Sequence, residues 1–418
     1  MKTKNLLLKS SLLLAVGVIN IQHVKSQIVG TDAFLKGNYV EIGIGGTGGY
    51  EGAIAIAPAG MHFRGSPSIK GFMANPQMDG WVNYDGDFFT PGSPENGWGL
   101  KIAGLSKANN ASDLLFPMPP PDILGSITGW AHTGTVTTTD WLGLDTATGI
   151  KVNINYSLGD NDLFYITTVT ITNTSSLTIN NIYYYRNLDP DNNQSIGGSY
   201  VTNQTLVSQY GSCVGCYAQV SATQSLPWLS YFSFLATDPN FKAGYGGFSN
   251  REGEDMYNGA GFTQIVGATT SADEAIYLAY KIASLPPDPS FKSTSGTSTG
   301  IPHVFKFASI FKPSAVLAAQ NALLTSTTVG INELENVKNA VSIYPNPMND
   351  NATITVSSSV KLSNAEFQIY DVIGKLIKST PVNSHEFNFE KGNLSSGLYF
   401  YKLINNGSEL STGKFLVK

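Results

Sequence analysis

An acidic loop offers the clearest set of candidate metal ligands in the chain. In the segment LDPDNNQ, Asp189, Asp191 and Asn193 stand at alternate positions, and such oxygen donors can surround a hard cation such as calcium. The segment is not an EF-hand, because Gln194 stands where that loop needs glycine and Tyr200 where it needs glutamate. Two interpretations remain open: a looser calcium site with these three ligands, or a rigid turn fixed by the proline.

A second candidate lies in an aromatic and acidic stretch, residues 71–100. Aromatic ring faces stack on the apolar faces of sugars, and carboxylates accept hydrogen bonds from hydroxyl groups. Trp81, Trp98, Asp85 and Asp87 supply both kinds of group and are therefore candidate ligand-binding residues for a glycan. The alternative is that the aromatic rings belong to the core or anchor loops, while the aspartates stabilise turns.

A third acidic cluster, NREGED, brings Glu252, Glu254 and Asp255 close to Arg251. Paired carboxylates act as acid and base in glycoside hydrolysis when they lie roughly 5–9.5 Å apart. Spacing along the sequence does not determine that distance, and a solvated acidic loop is the simpler interpretation. No residue is therefore predicted to be catalytic.

Two formal motifs lack the surroundings that their chemistry requires. GIGGTG at 43–48 has the glycine spacing of a dinucleotide-binding loop, but a strand-like segment follows it instead of a helix. We therefore expect a flexible hairpin there. GTSTG at 296–300 has the spacing found around a nucleophilic serine, here Ser298, but it lies in a polar loop of low complexity.

The chain has two cysteines, Cys213 and Cys216, in the segment SCVGC. In an exported protein we expect them to form one short-loop disulfide. A zinc site would need two further ligands, and the histidines are scattered along the chain. Apart from calcium, no cofactor is expected.

Strands must position these candidate residues, because glycine and β-branched residues are abundant and helical periodicity is almost absent. The sequence predicts an all-β fold, with a large antiparallel β-sandwich body over residues 27–325 and one late helix. The helix is predicted in PSAVLAAQNALL at 313–324, where Pro313 and Ser314 begin it.

Two stretches, 163–171 and 177–186, alternate with a period of two on either side of a polar turn. This pattern predicts an antiparallel hairpin inside the sandwich. Arg186, in the second stretch, is expected to pair with Asp189 or Asp191.

The first 26 residues have the order of a secretory signal peptide: basic residues, an apolar run from Leu12 to Ile21, and the small Ser26. The run is shorter than the ~20 residues that span a bilayer, and no later stretch is long enough, so no membrane span is predicted. Residues 27–337 carry 24 acidic and 13 basic side chains. A surface of this charge repels phosphate backbones, so nucleic-acid binding is not expected.

The chain restarts as a short all-β unit at 342–418, after a linker at 326–341 that has no apolar periodicity. The strand pattern of this unit suits a small immunoglobulin-like sandwich. The unit contains SIYPNP, IYDVIGKLI, LSSGLYFYKL and a terminal GKFLVK, in that order. These segments resemble the C-terminal sorting domain of type IX secretion substrates, found in Bacteroidota.

The resemblance implies export through the Sec pathway to the periplasm, followed by passage across the outer membrane. The Sec and type IX machineries are therefore the expected partners of the signal peptide and of residues 342–418. The expected location is extracellular or on the outer-membrane surface. For the body, the first hypothesis is a non-catalytic protein that binds a polysaccharide or another extracellular polymer. The alternative is a secreted glycan-active hydrolase that uses a carboxylate pair.

Overall fold

The computed structural model describes residues 27–63, 71–86, 95–111, 121–190, 199–212, 216–225, 229–248, 251–288, 302–325, 341–356, 362–371, 375–405 and 408–418. The chain divides into two compact units between Thr325 and Ser326. We call the first unit the body and the second the C-terminal unit. The predicted signal peptide, residues 1–26, and the predicted linker up to residue 340 lie outside the described ranges.

The body is built almost entirely from strands, as predicted. Its strands are β1 (Ile28–Val29), β2 (Asp32–Lys36), β3 (Val40–Ile44), β4 (Phe72–Ala74), β5 (Asp85–Gly86), β6 (Asn96–Ile102), β7 (Leu105–Ala111), β8 (Gly125–Thr133), β9 (Val136–Asp145), β10 (Ile150–Gly159), β11 (Phe164–Asn173), β12 (Ile179–Leu188), β13 (Thr202–Ser208), β14 (Ala218–Gln224), β15 (Ser230–Ala236), β16 (Phe241–Gly246), β17 (Thr269–Ala272), β18 (Ala275–Leu285) and β19 (His303–Ile310).

Three antiparallel sheets organise these strands. A small sheet has the order β1-β2-β3-β4-β5, a nine-stranded sheet has the order β17-β13-β14-β15-β19-β11-β10-β9-β8, and a five-stranded sheet has the order β16-β18-β12-β6-β7. The predicted all-β class is therefore confirmed.

One hydrophobic core joins the two larger sheets. Along β10, every second side chain from Ile150 to Leu158 is buried, while those between them are half-buried. This period of two directs one face of the nine-stranded sheet into the core and leaves the other towards solvent. From the five-stranded sheet, Tyr184 packs edge-on against Phe305 of β19, with ring centroids 5.0 Å apart. Phe241 contacts the same ring at 5.7 Å.

The predicted hairpin between 163–171 and 177–186 is wrong. β11 pairs with β10 and β19, whereas β12 pairs with β6 and β18 in the other large sheet. The chain therefore crosses the sandwich between these strands. The side-chain amide of Asn173 fixes the crossing by donating to the carbonyls of Leu177 at 2.7 Å and Leu285 at 2.9 Å. Alternation defines which face of a strand is buried, but it does not define the neighbouring strand.

The predicted late helix is confirmed as α2, and a short helix α1 precedes it. The two helices span α1 (Gly253–Asn258) and α2 (Val316–Thr325). Pro313 lies in a 3-10 turn just before α2, where its fixed φ suits the start of a helix. Ala319 and Leu323 are the buried residues of α2, which packs against β11, β15 and β19.

The C-terminal unit is a small β-sandwich with its own core. Its strands are β20 (Val341–Tyr344), β21 (Asn351–Val356), β22 (Ala365–Tyr370), β23 (Leu376–Val382), β24 (Glu386–Glu390), β25 (Gly397–Asn405) and β26 (Ser408–Val417). They form a three-stranded sheet, β20-β21-β24, and a four-stranded sheet, β23-β22-β25-β26. Buried residues of both sheets form one core that includes Ile354, Phe389, Phe367, Leu403 and Phe415.

Neither helix of the described ranges has the length and apolar character that crossing a bilayer requires.

Candidate functional site

A buried carboxylate in the small sheet of the body supports a surface cluster of aromatic rings. Glu41 lies in β3, between apolar neighbours, and its side chain is fully buried. Its Oε2 accepts a hydrogen bond from the backbone N–H of His62 at 2.7 Å, and its Oε1 lies 3.0 Å from His62 Nδ1. Lys36 Nζ lies 3.3 Å from the same Oε1. Because a carboxylate only accepts hydrogen bonds, Nδ1 carries the imidazole proton.

The imidazole of His62 stacks on the indole of Trp81. The two ring centroids lie 4.0 Å apart and the planes differ by 8°. Tyr84 completes the group, with its ring 5.8 Å from His62 and 6.0 Å from Trp81. We call Glu41, His62, Trp81 and Tyr84 the Trp81 cluster. Its tryptophan is half-buried, so part of the indole remains accessible to solvent.

The loop that carries Trp81 is held in an unusual backbone conformation. Trp81 has a φ of 67°, in the left-handed region that side chains other than glycine rarely adopt. Its indole Nε1 donates to the carbonyl of Asn38 at 3.0 Å. Asp79 accepts hydrogen bonds from the backbone N–H groups of Val82 and Asn83. Desolvation raises the pKa of Asp79, but these bonds and that from the Asn83 side chain outweigh it and lower the pKa overall.

Two exposed apolar side chains are sequence neighbours of the cluster residues. Phe63, next to His62, is 45% exposed, and Val82, next to Trp81, is 74% exposed. The hydroxyl of Tyr84 donates to the carbonyl of Phe63 at 3.5 Å. The arrangement can stack against a flat apolar ligand face and exchange hydrogen bonds at its rim, because the rings are fixed before a ligand arrives.

Of the four predicted glycan-binding residues, the three that the structure describes occupy different environments. Trp81 belongs to the surface cluster, whereas Trp98 is 1% exposed and stacks on Tyr184 in the core, with ring centroids 6.2 Å apart. Asp85 is buried in β5 beside Ala74. Asp87 lies outside the described residues. Trp98 is therefore a core residue, which was the alternative to glycan binding. Trp81 is partly accessible and stays a candidate for glycan binding.

The sequence interpretation missed His62 and Glu41. A glutamate in the middle of the apolar strand VEIGI was the available signal, because a buried carboxylate requires a hydrogen-bonding partner. The partner, His62, stands 21 positions further on, and nothing in the local sequence connects the two.

The predicted calcium ligands are described only in part. Asp189 is buried just after β12, and its backbone N–H donates to the carbonyl of Glu95 at 2.8 Å. Asp191 and Asn193 lie outside the described residues, as does Cys213 of the predicted disulfide with Cys216. Within the described ranges, no group of three or more histidine, cysteine, aspartate or glutamate side chains could hold a metal ion. Calcium binding and the disulfide stay predictions.

Arg186 pairs with a distant glutamate, Glu51, and Asp191, one of the two aspartates that the sequence suggested as its partner, lies outside the described residues. Its Nη2 lies 2.5 Å from Glu51 Oε2, and both side chains are buried. Its Nη1 donates to the carbonyl of Gly97 at 3.1 Å, and the hydroxyl of Tyr165 donates to Glu51 Oε1. Burial, reinforced by the charge of Glu51, raises the pKa of Tyr165 well above its ordinary value. Buried charges are tolerated when they are paired in this way.

A second ion pair, between the half-buried Arg251 and the buried Glu95, lies on the opposite face of β12. Arg251 Nε lies 2.6 Å from Glu95 Oε1, and the amide of Asn187 donates to Glu95 Oε2 at 2.8 Å. Asn110 in turn donates to Asn187 Oδ1 at 2.6 Å. The consecutive residues Arg186 and Asn187 therefore connect β12 to two different buried glutamates.

The glycine-rich segment at 43–49 is a largely buried turn, and the antiparallel bridge of Ile44 with Glu51 gives it the hairpin form that the sequence predicted. The indole N–H groups of Trp141 and Trp98 donate to the carbonyls of Gly46 at 2.8 Å and Gly48 at 3.1 Å. The hydroxyl of Tyr156 donates to the carbonyl of Gly49 at 2.9 Å. Aromatic side chains of the core thus satisfy backbone carbonyls that would otherwise be buried without partners.

The NREGED cluster is a helix start with an ion pair. Glu252 caps α1 by accepting from the backbone N–H groups of Glu254 at 3.1 Å and Asp255 at 3.2 Å. Lys101 Nζ lies 2.6 Å from Glu254 Oε2 and 3.4 Å from Glu252 Oε2. The hydrogen bond from Lys101 lowers the pKa of Glu254. Both glutamates therefore have structural partners.

A chain of three polar side chains lies at one end of the core. The hydroxyl of Tyr280 donates to Asp238 Oδ2 at 3.0 Å and lies 2.9 Å from His303 Nε2. Burial lowers the pKa of His303, and the charge of Asp238 opposes this effect only in part. The group thus couples a titrating histidine to the packing of Tyr280 on Phe305.

The comparison with solved structures gives distant likenesses. A polysaccharide lyase is 11% identical, with a TM-score of 0.30 over 91% of this chain and 46% of its own. A bacterial glucoamylase complexed with acarbose is 9% identical, with a TM-score of 0.34 over 75% and 36%. PorZ, a surface component of the type IX secretion system of Porphyromonas gingivalis, is 10% identical, with a TM-score of 0.17 over 72% and 45%. The chain spans less than half the length of each, and at these values the likenesses do not define a function for the body.

The C-terminal unit gives a definite result. A comparison with curated proteins yields no match for the chain. The family of secretion system C-terminal sorting domains matches residues 342–418, which are the two-sheet sandwich that begins at β20. The chain therefore ends in a sorting domain of the type IX secretion system, which directs it to the cell surface or the extracellular space.

Proposed function

We propose that this exported protein binds a polysaccharide or a similar extracellular polymer without catalysis, and that the Trp81 cluster forms part of the contact surface. The observation that carries the proposal is the parallel stack of Trp81 on His62, 4.0 Å apart, above the buried carboxylate of Glu41. The sorting domain delivers this surface to the outside of the cell, where such polymers occur.

The side chains of the Trp81 cluster are held in place before a ligand binds, and this favours ligand binding. Ordering a flexible side chain on binding costs about 0.5–1.5 kcal/mol, and rings that are already fixed avoid that cost. Trp81 is fixed through its hydrogen bond to Asn38, and His62 through two bonds to Glu41. Because the indole N–H is occupied, the available chemistry of Trp81 is its ring surface, which suits the apolar face of a sugar ring.

The hydrolase alternative requires two carboxylates that face a substrate. Glu41 is fully buried under His62, and Glu252 and Glu254 bind Lys101 and the start of α1. These partners give each of the three carboxylates a structural role, and they favour binding over hydrolysis at these positions.

The first experiment is a binding screen of the purified protein, from residue 27 onwards, on immobilised polysaccharides. The incubated polymer is also analysed for released oligosaccharides. We expect retention on at least one polymer with no released product. Release of oligosaccharides would establish the hydrolase alternative, and a complete lack of retention across neutral and acidic polymers would contradict the proposed function.

A further inference from the structure

The two outer faces of the sorting domain differ in chemistry. The outer face of the three-stranded sheet is mostly polar: its exposed side chains are Asn351, Thr353, Thr355, Glu386, Asn388 and Glu390 on β21 and β24, together with Ser342 and the 79% exposed Tyr344 on β20. This is the ordinary composition of a solvated sheet face. It provides a reference for the opposite side of the same small sandwich.

One end of the outer face of the four-stranded sheet is apolar, while Glu366, Gln368 and Ser379 lie at its other end. Leu376 of β23 is 48% exposed, Phe400 of β25 is 41% exposed and Leu416 of β26 is 45% exposed. The strand register brings them together, because Tyr370 lies opposite both Leu376 and Phe400. Leu398 lies opposite Leu416 in the adjoining row. We call Leu376, Tyr370, Leu398, Phe400 and Leu416 the outer patch.

The core of the sorting domain does not need the side chains of the outer patch. Tyr399 and Tyr401 alternate with its β25 residues and point into the core, where Tyr401 stacks on Phe367 at 5.1 Å. The core is thus complete without the patch. Side chains directly opposite each other on a sheet lie about 4.5–5.5 Å apart at Cβ, so the patch is one continuous surface. Continuous exposed apolar surfaces mark interaction sites.

Lysines accompany the patch on the same face. Lys414 lies opposite Phe400 in the strand register. Lys402 Nζ lies 6.0 Å from the ring centroid of Tyr370. Glu366, on the same face of β22, accepts hydrogen bonds from Ser379 at 3.1 Å and Gln368 at 3.2 Å. A partner that covers the patch would therefore present apolar side chains and carboxylates.

The edges of the sheet are less suited to docking than its face. At the β26 edge, Met348 forms a parallel bridge with Val417, and its backbone N–H donates to the carbonyl of Leu416 at 2.8 Å. The other edge strand, β23, contains Pro381, which has no N–H to donate. Both features hinder the addition of a further strand.

We infer that the outer patch is the surface by which a protein of the type IX export machinery recognises this sorting domain. The partner's docking site combines an apolar surface for Phe400 and Leu416 with Asp or Glu side chains opposite Lys414. Recognition then occurs on a sheet face and leaves the core and the three-stranded sheet unchanged.

The test follows export of the full chain from a bacterium that has the type IX system. We compare the wild type with Leu416→Ser, Phe400→Ser and Lys414→Glu. Thr353→Glu, on the polar outer face, is the matched control. The amounts of protein outside the cell and in the periplasm are measured by immunoblotting. We expect each patch variant to reduce the exported amount at least fivefold and to accumulate in the periplasm, while Thr353→Glu is exported like the wild type.

A folding defect is separated from a recognition defect by a second measurement. Thermal unfolding of each purified variant reports the state of the sorting domain, and Lys414→Glu changes only an exposed charge. A fivefold loss of export by Lys414→Glu with an unchanged Tm supports the inference. Wild-type export of Lys414→Glu and of a folded serine variant would overturn it, as would an equal loss of export by Thr353→Glu.

Discussion

The guanidinium of Arg186 lies 2.5 Å from the carboxylate of Glu51, and this buried pair joins β12 to the loop that follows β3. The two residues are 135 positions apart in the sequence. Tyr165 donates to the same carboxylate, and Asn96 donates to the backbone carbonyl of Glu51 at 2.7 Å. The pair therefore anchors both large sheets to the region that supports the Trp81 cluster.

Loss of one partner should destabilise the body strongly. Arg186→Met leaves Glu51 buried without its ion pair, and removal of one partner of a buried pair costs about 3–5 kcal/mol. Urea unfolding of the purified protein measures this loss. The double variant Arg186→Met/Glu51→Leu should recover part of it, because no uncompensated charge remains. If the double variant lost as much unfolding free energy as the sum of the losses in Arg186→Met and Glu51→Leu, the two residues would not be coupled.

Replacement of Gly49, in the glycine-rich segment at 43–49, should lower the free energy of unfolding strongly. Gly49 has a φ of 65°, and an added Cβ would lie 2.3 Å from Trp141 Cδ2. Gly134 is a matched control with a φ of 62° and no atom within 4 Å of the same position. We expect Gly134→Ala to lose about 1–2 kcal/mol from the left-handed backbone alone. Gly49→Ala should lose about 1–3 kcal/mol more through overpacking, measured by the same unfolding experiment.

The stability of the body should decrease in mild acid through His303. Burial lowers the pKa of His303 from the ordinary 6.5 in the folded protein, so the unfolded chain takes up the proton at a higher pH. Its contribution to stability is therefore present above 6.5 and is lost as the pH falls through the lower, folded-state pKa. Unfolding free energies between pH 7.5 and 5 should fall less steeply in His303→Gln than in the wild type. His385→Gln, in the sorting domain, is the control, and identical slopes in wild type and His303→Gln would refute the assignment.

Calcium binding at Asp189, Asp191 and Asn193 can be tested by removal of the ion. The prediction is a higher Tm in calcium than in chelator, because a ligand that binds only the folded state stabilises it. Asp191→Ala should abolish the difference. Asp79→Ala, which removes a surface carboxylate elsewhere in the body, should retain it. An equal Tm with and without calcium would leave the rigid turn as the explanation of this loop.

The sequence was informative where structure depends on short-range pattern. Alternation with a period of two predicted the strands β11 and β12, and Pro313 marked the start of the late helix. The sorting domain was recognisable because its characteristic segments are short and occur in a fixed order. These features require no knowledge of which distant segments meet.

Long-range partners could not be predicted from the same patterns. Trp81 and Trp98 stand in one aromatic stretch, yet one is at the surface and the other in the core, because strand β6 is buried between two neighbours and the loop of Trp81 is not. Arg186 was expected to pair locally because sequence proximity was the only guide. His62 escaped notice because its partner Glu41 belongs to another element.

The most direct test of the proposed function is the affinity of the Trp81→Ala variant for the polysaccharide that the wild type binds best. Tyr210→Ala is the matched control, because Tyr210 is 51% exposed and lies on a different loop of the body. An aromatic stacking contact contributes about 0.5–1.5 kcal/mol, so Trp81→Ala should weaken binding roughly 2-fold to 12-fold while the protein remains folded. Tyr210→Ala should bind like the wild type. Wild-type affinity in Trp81→Ala would contradict the assignment of the Trp81 cluster as the binding surface.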